Sequence, residues 1–224
     1  MSRQEKERKL RLHEVTVSSK MNTPLIKFCG MTCIQDIEAA NALSPDYIGF
    51  VFYSKSKRYV TPKEASVLRS RLNPGTTAVG VFVNESIQTV AALVQNGNID
   101  VVQLHGIEDD AYIAALRSIC SAPIIAAFRI GCSADLAAPY SSTADQILLD
   151  GVSAGAGVPF DWTLLGAFDR PYFLAGGLNP GNVAEAIRVL HPYAVDVSSG
   201  IEADDSHKKD MIKMKAFINQ VRTM

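Results

Sequence analysis

The chain has 224 residues, of which 47% are hydrophobic and 20% are charged, and its formal net charge at pH 7 is −1. This composition is typical of one globular domain of ordinary size and excludes an intrinsically disordered chain. It also argues against a nucleic-acid partner, which would need a clustered basic surface. The sequence contains no apolar run of membrane-spanning length and no secretory signal, so we expect a cytoplasmic protein without membrane association.

The first 22 residues differ from the rest of the chain. They mix basic and acidic side chains without a sustained apolar stripe, as Arg3, Glu5, Lys6 and Glu7 illustrate. A basic arm for a partner would carry one sign of charge, so the mixed signs favour a flexible extension. We therefore predict an extension over residues 1–22, with Met21 as a plausible alternative translation start, and a catalytic domain over residues 23–224.

From Leu25 onward, short apolar segments alternate with segments of helical periodicity. The predicted strands are Leu25–Cys29, Tyr47–Phe52, Thr77–Val83, Val101–His105, Pro123–Phe128, Gln146–Asp150, Tyr172–Ala175 and Ala194–Ser198. The predicted helices are Ile34–Ala42, Pro62–Arg71, Ser86–Gln95, Asp109–Ser118, Ala134–Tyr140, Trp162–Ala167, Asn182–Leu190 and Lys208–Val221. Eight strand-then-helix units in about 200 residues predict a single-domain α/β protein, a (β/α)8 TIM barrel. An open doubly wound sheet is the alternative, but no Gly-x-Gly-x-x-Gly follows the first strand.

Several predicted strands end in polar residues, and the carboxyl ends of barrel strands are where such folds carry their chemistry. Cys29 ends the first strand, and Gly30 behind it allows a sharp turn. A lone cysteine is commonly a small core residue, but the other polar strand ends favour a reactive thiol here. Gln103 and His105 share one face of the fourth strand and could line the barrel mouth. His105 could equally be a hydrogen-bonded structural histidine.

The last two strand ends predict a phosphate site. Gly176 and Gly177 follow the seventh strand, and Ser198, Ser199 and Gly200 follow the eighth. Glycines let backbone N–H groups approach an anion, and these two loops are the usual phosphate seat of a barrel. The alternative is that the glycines serve only as tight turns.

Motifs in chain order resemble those of the phosphoribosylanthranilate isomerase family. They are Lys27-Phe28-Cys29-Gly30-Met31-Thr32, Gly49-Phe50-Val51-Phe52 with Ser56-Lys57-Arg58-Tyr59-Val60, Gly80-Val81-Phe82-Val83-Asn84, Gln103-Leu104-His105-Gly106, Leu148-Leu149-Asp150, Phe160-Asp161-Trp162, Leu174-Ala175-Gly176-Gly177-Leu178 and Asp196-Val197-Ser198-Ser199-Gly200. The cysteine-glycine motif and the acidic end of the sixth strand are specific to the family, whereas the phosphate loops occur in other barrels.

The resemblance implies an aldose–ketose isomerase, an intramolecular oxidoreductase of tryptophan biosynthesis. Its reaction is the Amadori rearrangement of N-(5-phosphoribosyl)anthranilate to 1-(o-carboxyphenylamino)-1-deoxyribulose 5-phosphate. The resemblance also implies that no metal or organic cofactor is needed. We expect the small phosphorylated substrate as the main partner and a monomer or homodimer.

By the same resemblance, Cys29 is the base that removes the proton at C2 and Asp150 is the acid that protonates the ring oxygen. A free thiol is mostly protonated and a free carboxyl mostly ionised at neutral pH, so the site must favour the opposite forms. Arg58 is expected to bind the anthranilate carboxylate, although it could be a solvated loop arginine beside Lys55 and Lys57.

Two loops depart from the family pattern. Ala154-Gly155-Ala156-Gly157 lacks the usual threonine, which puts a side-chain phosphate contact in doubt, and the stretch Ala203–Asp210 lacks the usual glycine before the last helix. Three other functions are open. A dual-substrate aminoaldose isomerase would be expected to have aspartate in place of Cys29, and a non-catalytic phosphosugar-binding barrel could dispense with the acid and base. A structural or partner-binding barrel would not need polar groups at so many strand ends.

Lys27 lies two residues before Cys29, on the same face of the first strand. A lysine inside a barrel is costly unless it is paired, and Asp196 on the eighth strand stands in the same relation to Ser198. We therefore predict that Lys27 pairs with Asp196 and leaves a positive charge near the sulfur, favouring the thiolate.

Overall fold

The computed structural model describes residues 23–151, 161–166, 168–204 and 206–224. The predicted N-terminal extension, residues 1–22, lies outside these ranges.

Eight parallel strands close into one barrel in the order of the sequence, with the last strand beside the first. The strands are β1 Leu25–Cys29, β2 Tyr47–Val51, β3 Thr77–Phe82, β4 Val101–Leu104, β5 Ile124–Ile130, β6 Gln146–Gly151, β7 Tyr172–Leu174 and β8 Ala194–Val197. The predicted (β/α)8 barrel is therefore confirmed, and the open doubly wound sheet is excluded by the pairing of β1 with β8. Strands of this kind are apolar on both faces because helices cover the outside and side chains fill the inside.

The α-helices of the described residues cover the outside of the barrel. They are α1 Ile34–Leu43, α2 Pro62–Arg71, α3 Ile87–Gln95, α4 Asp110–Ile119, α5 Ala137–Ser141, α6 Val183–Leu190 and α7 Met211–Arg222. Short 3₁₀ helices occupy Ser133–Leu136, Trp162–Leu165 and Ser199–Ile201.

Three predicted helices differ from the observed ones by more than one residue. The region around Ala134–Tyr140 divides into a 3₁₀ turn and the short α5, and Trp162–Leu165 forms only a 3₁₀ turn, with Ala167 outside the described residues. The last helix begins at Met211 and not at Lys208. The carboxylate of Asp210 accepts hydrogen bonds from the backbone N–H groups of Ile212 and Lys213, which places the N-cap at Asp210.

The barrel contains two separate apolar clusters. The larger lies between the sheet and the helices, and the smaller fills the inside of the barrel. In the inner cluster the rings of Tyr47 and Phe173 pack edge to face with centroids 5.5 Å apart. Lys27, Gln103 and Asp150 are also buried, so the interior becomes polar towards the carboxyl ends of the strands. No helix in the described ranges has the length and hydropathy needed to cross a membrane.

Asp36 connects the loop after β1 to the segment before α7. Only 1% of its surface is exposed. One carboxylate oxygen accepts from the backbone N–H groups of Thr32 at 2.8 Å and Cys33 at 3.3 Å, and the other accepts from that of Lys209 at 2.9 Å. Because Thr32 follows Cys29 closely, this carboxylate also holds the loop that follows the candidate base.

We expect Asp36→Ala to lower the free energy of unfolding by about 2–4 kcal/mol, because several buried N–H groups lose their acceptor. Urea denaturation measures the change. Asp110→Ala is the control, since this exposed carboxylate also accepts from one threonine, Thr143, and its loss should cost less. Equal losses in the two variants would contradict a special role for Asp36.

Candidate active site

A cavity of about 270 Å³ opens at the carboxyl ends of the strands. Nine of the predicted site residues line it: Cys29, Arg58, Gln103, His105, Asp150, Gly176, Gly177, Ser198 and Ser199. Gly200 does not. A Cβ atom there would lie 2.0 Å from the carbonyl oxygen of Leu178, so Gly200 allows the turns after β7 and β8 to pack closely.

Cys29 lies at the end of β1 with 8% of its surface exposed. Its sulfur sits beside Gly49 of β2, where a Cβ atom would come within 2.8 Å of Sγ. Gly30 follows with a φ of 79°, in the left-handed region that favours glycine. The thiol therefore occupies space that the missing side chain of Gly49 leaves open, and Gly30 turns the chain after it.

The predicted pair of Lys27 and Asp196 is confirmed. The two residues are register partners on β1 and β8, and Nζ of Lys27 donates to Oδ1 of Asp196 at 2.9 Å. None of the surface of Lys27 is exposed. Burial alone would lower the pKa of Lys27, but the Asp196 carboxylate and the Cys29 sulfur outweigh it and raise that pKa, so the ammonium stays charged.

The pKa of the Cys29 thiol is raised above its ordinary value, and burial is the main cause. The ammonium groups of Lys27 and Lys209 act in the opposite direction, whereas the Asp196 carboxylate adds to the increase. Lys27 therefore acts on the thiol in the predicted direction, but burial outweighs it and the thiol pKa is raised overall. Desolvation in the closed barrel exceeds what the neighbouring cations return.

Asp150 on β6, Gln103 on β4 and His105, the residue after β4, lie close together. Nε2 of Gln103 and Nδ1 of His105 are 3.1 Å apart, and Nε2 of His105 lies 3.3 Å from Oδ2 of Asp150, outside hydrogen-bond geometry. Within the described ranges, Oδ1 of Asp150 and Oε1 of Gln103 are buried without a hydrogen-bond partner. Buried polar atoms are normally paired, so these two are available to a ligand in the cavity.

The two predicted phosphate turns meet at the cavity. Gly176 and Gly177 have φ values of 86° and 71°, which only glycine adopts readily. The Ser198 hydroxyl donates to the carbonyl oxygen of Cys29 at 3.0 Å, which uses its proton and joins the turn after β8 to the end of β1. The backbone of these turns is therefore better placed than the Ser198 hydroxyl to donate to an anion.

Arg58 lies at the cavity wall and forms a two-point ion pair with Glu202. Nε donates to Oε1 at 2.5 Å and Nη2 donates to Oε2 at 2.9 Å. Lys209, whose side chain is fully buried, donates to Oε1 of the same carboxylate at 2.8 Å. Burial acts to raise the pKa of Glu202, but hydrogen bonds from Arg58 and the charge of Lys209 lower it to about 2.

Sequence reasoning missed three charged residues of this region. Arg129 lines the cavity as the register partner of Asp150, and the predicted fifth strand stopped one residue before it. The period of two in Ile125, Ala127 and Arg129 could have indicated its direction. Glu202 and Lys209 had no local signal, because Arg58 is 144 residues from Glu202 in sequence.

Of the two loops that depart from the family pattern, the structure describes only part of the second. Residues 154–157 lie outside the described ranges. In the stretch Ala203–Asp210, an isolated antiparallel bridge joins Glu202 to Lys209, and Asp210 caps α7. Among the residues that the structure describes, no group of three or more His, Cys, Asp or Glu side chains could hold a metal ion.

A closed parallel barrel with titratable groups and glycine turns at the carboxyl ends of its strands has the architecture of a (β/α)8-barrel enzyme. A family model described as N-(5'phosphoribosyl)anthranilate (PRA) isomerase matches residues 26–220. The chain belongs to this family.

Curated relatives and solved structures agree with the family model. The N-(5'-phosphoribosyl)anthranilate isomerase of Endomicrobium trichonymphae is 40% identical over 205 residues, which cover 90% of this chain and 100% of that protein. The one from Caldanaerobacter subterraneus subsp. tengcongensis is 43% identical, over 88% of this chain and 97% of that protein. The crystal structure of the Thermotoga maritima phosphoribosyl anthranilate isomerase is 36% identical, with a TM-score of 0.82 over 90% of this chain and 100% of that one. A structure of a phosphoribosyl anthranilate isomerase in complex with reduced 1-(o-carboxyphenylamino)-1-deoxyribulose 5-phosphate is also 36% identical, with a TM-score of 0.79 over the same shares.

We expect Lys27→Met to raise the pKa of the Cys29 thiol further, because the variant removes a cation that lowers it. The rate of iodoacetamide labelling as a function of pH measures this, with mass spectrometry locating the label on Cys29. The variant also leaves Asp196 unpaired, which costs about 3–5 kcal/mol of stability. Lys27→Met/Asp196→Asn should recover part of that stability and shift the labelling curve less, since Asp196 itself raises the thiol pKa.

The exposed Lys63 provides the control. Lys63→Met should leave the labelling curve of Cys29 unchanged. A curve for folded Lys27→Met that coincides with the unmodified protein would refute the influence of Lys27 on the thiol.

Proposed function

We propose that the chain catalyses the Amadori rearrangement of N-(5-phosphoribosyl)anthranilate in tryptophan biosynthesis, as an aldose–ketose isomerase. The observation that carries this proposal is the pairing of one buried thiol with one buried carboxyl in the cavity that also contains the glycine turns. Cys29 ends β1 and Asp150 lies one residue before the end of β6, three strands apart around the closed barrel. Side chains from these two positions approach a bound sugar from different walls of the cavity.

Each member of the pair has a separate step. Protonated Asp150 gives its proton to the furanose ring oxygen, the bond between that oxygen and C1 breaks, and the substrate nitrogen forms a C=N bond to C1. The ionised sulfur of Cys29 then removes the proton at C2, and the resulting enol becomes the ketone. Oδ1 of Asp150, without a partner among the described residues, is the oxygen available for the first step.

The burial of Cys29 makes its thiolate harder to form but more basic once it has formed. Burial raises the pKa of Cys29 because a buried thiolate loses its hydration. The ammonium of Lys27 reduces this free-energy cost of forming the thiolate. A thiolate that does form is poorly solvated and close to its cation. Such an ion is a stronger base towards a C–H bond than a thiolate in water.

The ends of the substrate fit opposite sides of Cys29. The phosphate is assigned to the backbone of the turns at Gly176–Gly177 and Ser198–Gly200, beyond β7 and β8. The anthranilate carboxylate is assigned to Arg58, which follows β2. Gln103 and His105 line the wall between Cys29 and Asp150 and are assigned to the sugar hydroxyls.

The proposal also covers the oligomeric state, partners and cellular location of the enzyme. A solved relative is described as a dimeric phosphoribosylanthranilate isomerase from which monomers were generated. For this chain we propose a monomer or a homodimer with a small phosphorylated substrate, acting in the cytoplasm without nucleic acid. The extension of residues 1–22 is assigned no catalytic role, and residues 23–224 are proposed to form the catalytic domain.

We expect Cys29→Ser and Asp150→Asn each to reduce turnover by roughly 10²–10⁴-fold, because a positioned acid or base contributes about that much. The assay adds protein to freshly generated N-(5-phosphoribosyl)anthranilate and follows the loss of its fluorescence. Cys33→Ser is the matched control, since this second cysteine lies four residues from Cys29 and does not line the cavity. It should retain normal turnover.

Near-normal turnover in either Cys29→Ser or Asp150→Asn would remove that residue from the mechanism. If the unmodified protein failed to accelerate the loss of fluorescence, the proposed reaction itself would be wrong.

A further inference from the structure

The guanidinium of Arg58 is held along one edge only. Nε and Nη2, which form that edge, both donate to the Glu202 carboxylate. Nη1 makes no hydrogen bond within the described ranges, although Arg58 lines the cavity. An arginine held in this way still has an N–H group to offer to a second anion.

The aliphatic stem of Arg58 is held as well. It lies across Gly30, where a Cβ atom would come within 2.5 Å of Cδ of Arg58. The backbone of Gly30 below and Glu202 at the far edge leave the side chain little freedom. Arginine loses considerable rotamer entropy when it is ordered, and here that loss precedes ligand binding.

Glu202 is suited to holding the guanidinium of Arg58 because it is buried, ionised and paired with two cations. Only 7% of its surface is exposed, and it accepts hydrogen bonds from both Arg58 and Lys209. Lys209 is itself fixed, since its Nζ also donates to the carbonyl oxygen of Ser198 at 3.1 Å. Two cations on one carboxylate leave one positive charge in excess, so the pair does not neutralise Arg58 towards a further anion.

A second cavity of about 500 Å³ adjoins the catalytic one, and Arg58 lines both. Glu202 lines only the second cavity, together with Lys57, His207 and Lys213 among others. Without Glu202, the guanidinium would lose the two-point pair that fixes its orientation between the two cavities.

We propose that Glu202 is a positioning residue that sets specificity for a carboxylated substrate: it fixes one edge of Arg58 so that Nη1 faces the aromatic carboxylate. The inference rests on the proposed function and deepens it. Lysine could not replace Arg58, because its single nitrogen cannot occupy the two-point pair and also offer a donor on a separate branch.

The test compares two substrates, N-(5-phosphoribosyl)anthranilate and N-(5-phosphoribosyl)aniline, which lacks the carboxylate. We expect Glu202→Gln to raise KM for the carboxylated substrate by about 10–100-fold with a smaller change in kcat, the loss typical of one charge-assisted hydrogen bond. KM for the aniline substrate should change little. The preference of kcat/KM for the carboxylated substrate should therefore shrink.

A structural role alone would reduce kcat/KM for both substrates by the same factor, and that result would overturn the inference. Arg58→Lys provides a second route if Glu202→Gln fails to fold, because it leaves the Glu202–Lys209 pair in place. It should show the same loss of preference, and an undiminished preference would overturn the inference.

Arg117→Gln is the control for removing a charged group from an ion pair, since Arg117 pairs with Asp145 away from both cavities. It should leave both substrates unaffected. If the unmodified protein turned over neither substrate, the proposed function would fail, and the specificity inference would fail with it. An active protein whose Glu202→Gln variant loses both activities equally would refute the specificity inference alone.

Discussion

The ion pair between Lys27 and Asp196 is the interaction on which the rest of the site depends. A lysine inside a barrel would be strongly destabilising without a partner, and here the register of β1 against β8 supplies one. The same contact therefore joins the two strands that close the barrel and places a positive charge beneath the candidate base. The hydrogen bond from Ser198 to the carbonyl oxygen of Cys29 lies one layer higher and joins the same two strand ends. Any change that separates β1 from β8 would therefore disturb the Cys29 thiol as well.

Burial and charge oppose each other throughout this region. Enclosure raises the pKa of the Cys29 thiol, while Lys27 and Lys209 limit the increase. With Arg58 these two lysines bring three positive charges against the two carboxylates of Asp196 and Glu202, an excess of one. A substrate carrying a phosphate and a carboxylate would meet a site whose cations are already ordered. Electrostatic stabilisation of this kind is effective because the groups need no reorganisation when the ligand arrives.

The sequence was sufficient to predict the barrel, most strand positions and nine of the residues that line the cavity, because a parallel barrel places successive strand ends on one rim. It also predicted the pair of Lys27 and Asp196 from the period of two. It could not predict Glu202 as the partner of Arg58, since that contact depends on how two distant loops pack. Nor could it predict that burial would outweigh the cations at Cys29, because that balance depends on how fully the barrel encloses the sulfur.

The most direct test of the central claim, that one cavity holds the sugar between a thiol and a carboxyl, is a crystal structure with the reduced product analogue. We predict the phosphate at the turns of Gly176–Gly177 and Ser198–Gly200, the aromatic carboxylate at Arg58, and the sugar carbons between Sγ of Cys29 and Oδ1 of Asp150. An analogue bound with its phosphate at Arg58, or with both Cys29 and Asp150 on the same side of the sugar, would contradict the account.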